Sequence, residues 1–89
     1  MKFEDLKVWK EGMRLASSVY ERLQTVTDFG LRDQMQRAAV SIPSNIAEGF
    51  ERGSNKEFIR FLHIAKGSCA ELSARSKITS LFGVVRGTG

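Results

Sequence analysis

The stretch RAAVSIPSNIAEGFERGS, residues 37–54, decides how this chain folds. Pro43 stands in its middle, where a helix loses one backbone hydrogen bond and the ring crowds the carbonyl of Ala39. Yet apolar residues keep helical spacing on both sides: Leu31, Met35, Ala39, Ile42 and Ile46. The unbroken phase predicts one continuous helix over about residues 29–48, kinked at the proline and stopped by Gly49. The competing reading is two short helices broken at Ser41–Ile42. Beside the apolar stripe, about a quarter turn away, runs a polar one: Gln34, Arg37, Ser41, Asn45 and Glu48. Solvated faces favour Lys and Glu, whereas Ser and Asn are poor helix formers that compete for backbone bonds. Their use beside a proline points to specific partners. Ser41 and Asn45 are expected to take up backbone groups freed at Pro43, the Ala39 carbonyl among them. Arg37 needs a carboxylate, and Glu71 is the candidate. Such a network sets register between helices more than it adds stability.

Working outward, a first helix is predicted over about residues 5–24. Leu6, Trp9, Met13, Ala16, Tyr20 and Leu23 form a heptad-like seam, and Val8, Gly12, Leu15 and Val19 form a second stripe beside it. Two stripes cover more of a helix than one partner needs, so this helix is expected to touch at least two neighbours. Thr27 or Asp28 can cap the helix that follows. Ser54 opens a third helix through a Ser-x-x-Glu capping box in which Glu57 reaches back to the Ser54 amide. Its seam is Phe58, Leu62, Ala65, Cys69 and Leu72, widened by Phe61, Ile64 and Ser68, with Ile59 outside. The pattern weakens at Ser76 and Thr79, although Ile78, Leu81 and Phe82 can still pack. Gly83 is the expected stop. The domain reading is a helical bundle over residues 1–83 and a flexible tail over residues 84–89.

A chain of 89 residues makes one small domain with a limited core, and self-association is a natural supplement. One proline and many helix-favouring residues indicate an all-α class. One cysteine allows no internal disulfide and fits a reducing compartment. No signal-peptide pattern and no long apolar run are present, which favours a cytoplasmic chain without membrane attachment.

Enzyme chemistry is poorly supplied. His63 is the single histidine and projects away from its helix seam. One His and one Cys cannot build the usual zinc site, and Cys69 reads as a buried, inert thiol. The glycines of GFERGS lack the lysine-hydroxyl pair of a phosphate loop. No catalytic residue, cofactor or metal ligand is expected. The net charge of +4 is a weaker signal. Lys7, Lys10 and Arg14 cluster on the first helix, and Lys56, Arg60 and His63 share a side of the third. Acids interleave elsewhere, as in the Lys7–Glu11 spacing of an exposed ion pair. Lys7, Lys10, Arg14, Lys56 and Arg60 are the candidate nucleic-acid contacts. Repetition in an oligomer would turn a small excess into a basic surface.

FEDLKVWKEGMRLASSVYE (3–21), FGLRDQMQRAAVSIPSNIAEGFERGS (29–54) and EFIRFLHIAKGSCAELSARSKI (57–78) together resemble the bacterial four-helix-bundle proteins of the ribosomal-RNA intervening-sequence family. A related branch is the accessory protein of diversity-generating retroelements. Gln34, Arg37, Ala38, Ser41, Ile42, Pro43, Asn45, Ile46, Ala47, Glu48, Gly49 and Arg52 carry the match, with Glu71 and Leu72 in the third helix. The resemblance implies an antiparallel up-and-down bundle, a ring-like homopentamer and no enzymatic activity. For the retroelement branch it implies binding of RNA or DNA and of a reverse transcriptase. The family pattern continues beyond Gly83 into a fourth helix, so the expected fold is that bundle with its fourth helix missing from this chain.

Overall fold

Among the described residues three α-helices follow one another, α1 (Lys7–Arg22), α2 (Phe29–Glu51) and α3 (Asn55–Thr88), with 3-10 turns at Phe3–Asp5 and Leu23–Thr25. The structure, a computed structural model, describes the backbone of residues 1–88 and the side chains of residues 1–76. No strand occurs among the described residues, and the fold is all-α.

α2 is continuous from Phe29 to Glu51 with Pro43 inside it. Asp28 caps its start, its Oδ1 accepting from the Leu31 amide at 3.0 Å. The proline is tolerated because of what lies on it. Gly12 of α1 sits against this turn, and a Cβ there would meet Ile42 Cγ2 at 3.3 Å and the Pro43 Cα at 3.5 Å. A bare glycine therefore lets α1 press onto the proline turn. That closeness seals Ile42 and Ile46, both in the core. Burying each contributes about 1.5–3 kcal/mol, enough together to offset the ~3 kcal/mol that an interior proline costs.

Gly49 does not end α2. The helix runs on to Glu51, Arg52 is its C-cap, and Gly53, at φ +76°, makes the left-handed turn. Gly49 is instead a point of close approach, where a Cβ would lie 2.6 Å from Phe61 Cβ and 3.3 Å from Phe58 Cδ1. α3 starts half as expected. Ser54 Oγ accepts from the Glu57 amide at 3.2 Å, but the Glu57 carboxylate turns to Arg60 instead of reaching back.

α2 is the central element, packed on α1 along one side and on α3 along the other. Both pairs are antiparallel. Gly12 lies level with Ile42 and Ile46, while Val19 and Leu23 lie beside Met35. Gly49 meets Phe61, Ser41 meets Ser68, and Met35 approaches Leu72. α1 and α3 therefore run parallel on either flank.

The core joins Ala16, Val19 and Leu23 to Met35, Ala39, Ile42 and Ile46, and to Ala65 and Leu72. On α1 and the turn after it the buried line is Gly12, Ala16, Val19 and Leu23, which takes members from both predicted stripes and runs between them. The outer members stay open: Met13 and Tyr20 on one flank, Val8 and Leu15 on the other. α1 thus has one main helical neighbour instead of the expected two. Cys69 is exposed, not buried on the seam, while Phe61 is buried. The cysteine lies on the α3 flank that faces α1, and α1 stands too far off to cover it. α3 passes through Gly83 to Thr88. An interior glycine costs a helix only about 1 kcal/mol and need not end it. The expected packing of Ile78, Leu81 and Phe82 and the expected mobility of the tail lie outside the described side chains.

Candidate nucleic-acid interface

The polar stripe of α2 divides into separate groups. Ser41 and Ser68 share a hydrogen bond between hydroxyls at 2.7 Å, tying α2 to α3 in a half-buried layer. Asn45 Nδ2 donates to the Ser41 carbonyl at 2.7 Å and to Ser41 Oγ at 3.0 Å. These side chains serve each other and the Ser41 carbonyl, not the Ala39 carbonyl expected from the proline. Asn45 lies one turn beyond Ser41, and its amide reaches that carbonyl first. Ser68 is the partner that the polar stripe alone does not reveal, although its place on the α3 seam facing a polar position is the available signal. Gln34 is exposed.

Arg37 and Glu71 do not meet. Arg37 pairs with Asp33 at 3.1 Å and is 79% exposed, and Glu71 pairs with Arg75 at 3.0 Å. Each finds a partner one turn away on its own helix, and in water nothing forces either to look further. Glu48 holds Arg52 at 2.9 Å. Arg52 also lies over the Phe61 ring at 5.2 Å from its centroid, and Arg60 lies over the same ring at 4.6 Å. Arg60 Nε donates to Glu57 at 2.7 Å. That hydrogen bond holds the Glu57 carboxyl below the usual carboxylate range against an opposing desolvation, with the positive charges of Arg60 and Arg52 adding smaller contributions.

The five candidate cations differ in availability. Lys7, Lys10 and Arg14 are exposed, and none forms an ion pair among the described residues. The expected Lys7–Glu11 pair is therefore absent, its exposed ends being better solvated apart. At about 100° per residue the three cations fall within an arc of about 60°, opposite the buried line of α1. Lys56 is exposed and also without an ion pair, whereas Arg60 is committed to Glu57 and Phe61. The two clusters stand on the outward faces of separate helices, at the same end of the parallel α1 and α3. The α1 triad is the more available one.

Two apolar surfaces are open besides. One flank of α1 presents Trp9, Met13 and Tyr20 next to Val40 and Pro43 of α2. Phe3 braces Trp9 edge-on at 5.3 Å between centroids. The other flank, with Val8 and Leu15, forms a groove with Leu62 and Cys69 of α3 over a floor of Ile42 and Ile46. No group of three or more His, Cys, Asp or Glu side chains is placed to hold a metal among the described residues. Among the same residues no helix is long and apolar enough to cross a membrane.

A sequence model of the family described as 23S rRNA-intervening sequence protein matches residues 4–86. The chain belongs to that family. Comparison with curated proteins found no match.

Proposed function

We propose that this chain is a non-catalytic, self-associating helical module that binds structured RNA electrostatically. The observation that carries the reading is the Lys7–Lys10–Arg14 face of α1, three exposed cations on one arc with no acid paired to them. The family's description, which names an insertion in 23S rRNA, supports an RNA partner. So few charges in one copy give weak binding. Self-association through the open apolar flanks would repeat the face and add its contacts. Phosphate contacts of this kind read backbone and shape instead of base sequence, and each releases counterions.

Titration of the full chain with a structured RNA at low and moderate salt tests this. Affinity should fall steeply with salt, with a log–log slope of about 0.7–0.9 per phosphate contact. Reversing Lys7, Lys10 and Arg14 together should abolish binding, and reversing Lys56 should cost less. No affinity at low salt, or affinity unchanged by the triple reversal, defeats the reading. A second reading, a protein-assembly module that binds no nucleic acid, is favoured by the open surface around Trp9, Met13 and Tyr20. It predicts association without any RNA affinity.

A further inference from the structure

We propose that the hollow between α1 and α2 receives an unpaired nucleobase of the RNA, stacked on Trp9, while Lys10 and Arg14 hold the phosphates beside it. The inference rests on the electrostatic reading above and adds a base subsite to it. The hollow measures about 680 Å³, within the range of a small-ligand site. It exists because short side chains line it from both helices: Ala16 and Ser17 on α1, Pro43, Ser44 and Ala47 on α2. Trp9 lines the same hollow and is half-buried. Phe3 braces its ring edge-on at 5.3 Å, so the platform stands ready before a ligand arrives. Met13 is exposed one turn further along, and a thioether packs well on an aromatic ring.

Charge beside the hollow selects a base over other flat apolar groups. Residues three apart on a helix are surface neighbours. Lys10 is therefore the neighbour of Met13, and Arg14 of Ser17, both of which line the hollow. Neither cation has an ion pair among the described residues. An aromatic platform bordered by free cations fits a ligand that is flat and aromatic at one end and anionic at the other, as each nucleotide is. Glu21 is the one charged residue lining the hollow among the described residues, and it belongs to the Tyr20 end. It follows Lys10 by 11 residues, about 16 Å along the helix and about two Debye lengths at physiological salt. The strand is thus held to the Trp9 end. Ser44 adds an exposed hydroxyl to the lining, which can donate or accept and so serves any base edge. The subsite tolerates any base but needs it unpaired, which favours loops and bulges over continuous duplex. The α1–α3 groove is a separate surface, and a base bound here leaves it open.

Trp9 is the single tryptophan of the chain, so its fluorescence reads the subsite directly. Two hairpin RNAs with one common stem decide it. One carries a loop of adenosines, the other a loop of abasic residues, equal in charge and lacking only the bases. Each is titrated into the full chain at one fixed protein concentration. The adenosine loop should quench Trp9 and shield it from acrylamide, and the abasic loop should do neither. The adenosine hairpin should bind about tenfold tighter. That ratio should persist as salt rises, while both affinities fall in parallel, because stacking releases no counterions. Trp9→Leu, with helical content checked by circular dichroism, should bring the two hairpins to equal affinity and leave the abasic one unchanged. Met13→Ala, at an exposed position, should narrow the ratio and carries the comparison if Trp9→Leu loses helix. Equal wild-type affinities with unchanged Trp9 emission overturn the base subsite and leave electrostatic binding standing. Failure of both hairpins to bind at low salt overturns both. Trp9 emission that shifts with protein concentration in the absence of RNA gives the hollow to a second copy and overturns the subsite.

Discussion

Replacing Gly49 with alanine probes the closest point between α2 and α3. The added Cβ would lie 2.6 Å from Phe61 Cβ and 3.2 Å from Phe61 Cγ. Neither atom can swing aside, since both sit at the root of a buried ring. An ordinary carbon–carbon contact needs about 3.5–4.0 Å, so the helices must part by about 1 Å at this level. Overpacking of that kind costs about 1–3 kcal/mol. At 2.6 Å, against atoms that cannot move away, the upper part of that range, about 2–3 kcal/mol, applies; alanine regains up to ~1 kcal/mol of helix propensity over glycine, which leaves a net loss of about 1–2 kcal/mol. In a domain of this size that lowers the melting midpoint by about 4–8 °C per kcal/mol. Gly67 on α3 is the matched control, because nothing lies within 4 Å of a Cβ built there. Gly67→Ala should gain up to ~1 kcal/mol by propensity alone. Thermal melts followed by circular dichroism, at one protein concentration, should show opposite signs for the two variants. A Gly49→Ala protein as stable as the wild type would refute the close-packed reading of this contact.

Asn45→Ala removes two hydrogen bonds from a half-buried layer and should cost about 1 kcal/mol in chemical denaturation, more than Gln34→Ala at its exposed site. A double-mutant cycle on Arg37 and Glu71 should give coupling within about 0.5 kcal/mol of zero, because each is paired elsewhere; a larger coupling would place them in contact. The Glu57 carboxyl is held below its ordinary 4.5 in the folded chain, so its contribution is present above that value and is lost as pH falls through the folded one. Glu57→Gln should therefore flatten part of the acid side of the stability profile.

Much of the fold was legible because the helical phase carries it. Leu31, Met35, Ala39, Ile42 and Ile46 keep one face through the proline, and no alternative places them together. What the pattern hides is distance. Gly12 and Gly49 look like a member of an apolar stripe and a stop, yet both are where two helices come closest, a property of two helices at once. The two stripes of α1 show an apolar surface without saying which part is covered, and the covered part is their shared middle. Cys69 follows the seam spacing but lies on the flank where α1 stands away. For the candidate site, the basic residues are visible in sequence, and the commitment of Arg60 to Glu57 and Phe61 is not. The choice of Asp33 over Glu71 by Arg37 was equally hidden, because an i,i+4 pair is always close and a cross-helix pair depends on rotation of both helices.

The central place of α2 also orders the events of opening and closing. α2 and α3 are joined by the short turn 52–54, so their contacts lie close in sequence and form at low entropic cost. α1 has no comparable partner besides α2, and its two flanks face solvent. It should be the first segment to detach in native-state fluctuation, leaving the α2–α3 hairpin intact. Amide hydrogen exchange should then show two tiers, with the amides around Ala16 and Val19 released well before those around Ile46 and Ala65. Each detachment would carry the Lys7–Lys10–Arg14 face away with it, so that any RNA held there would in turn slow the exchange of α1 alone.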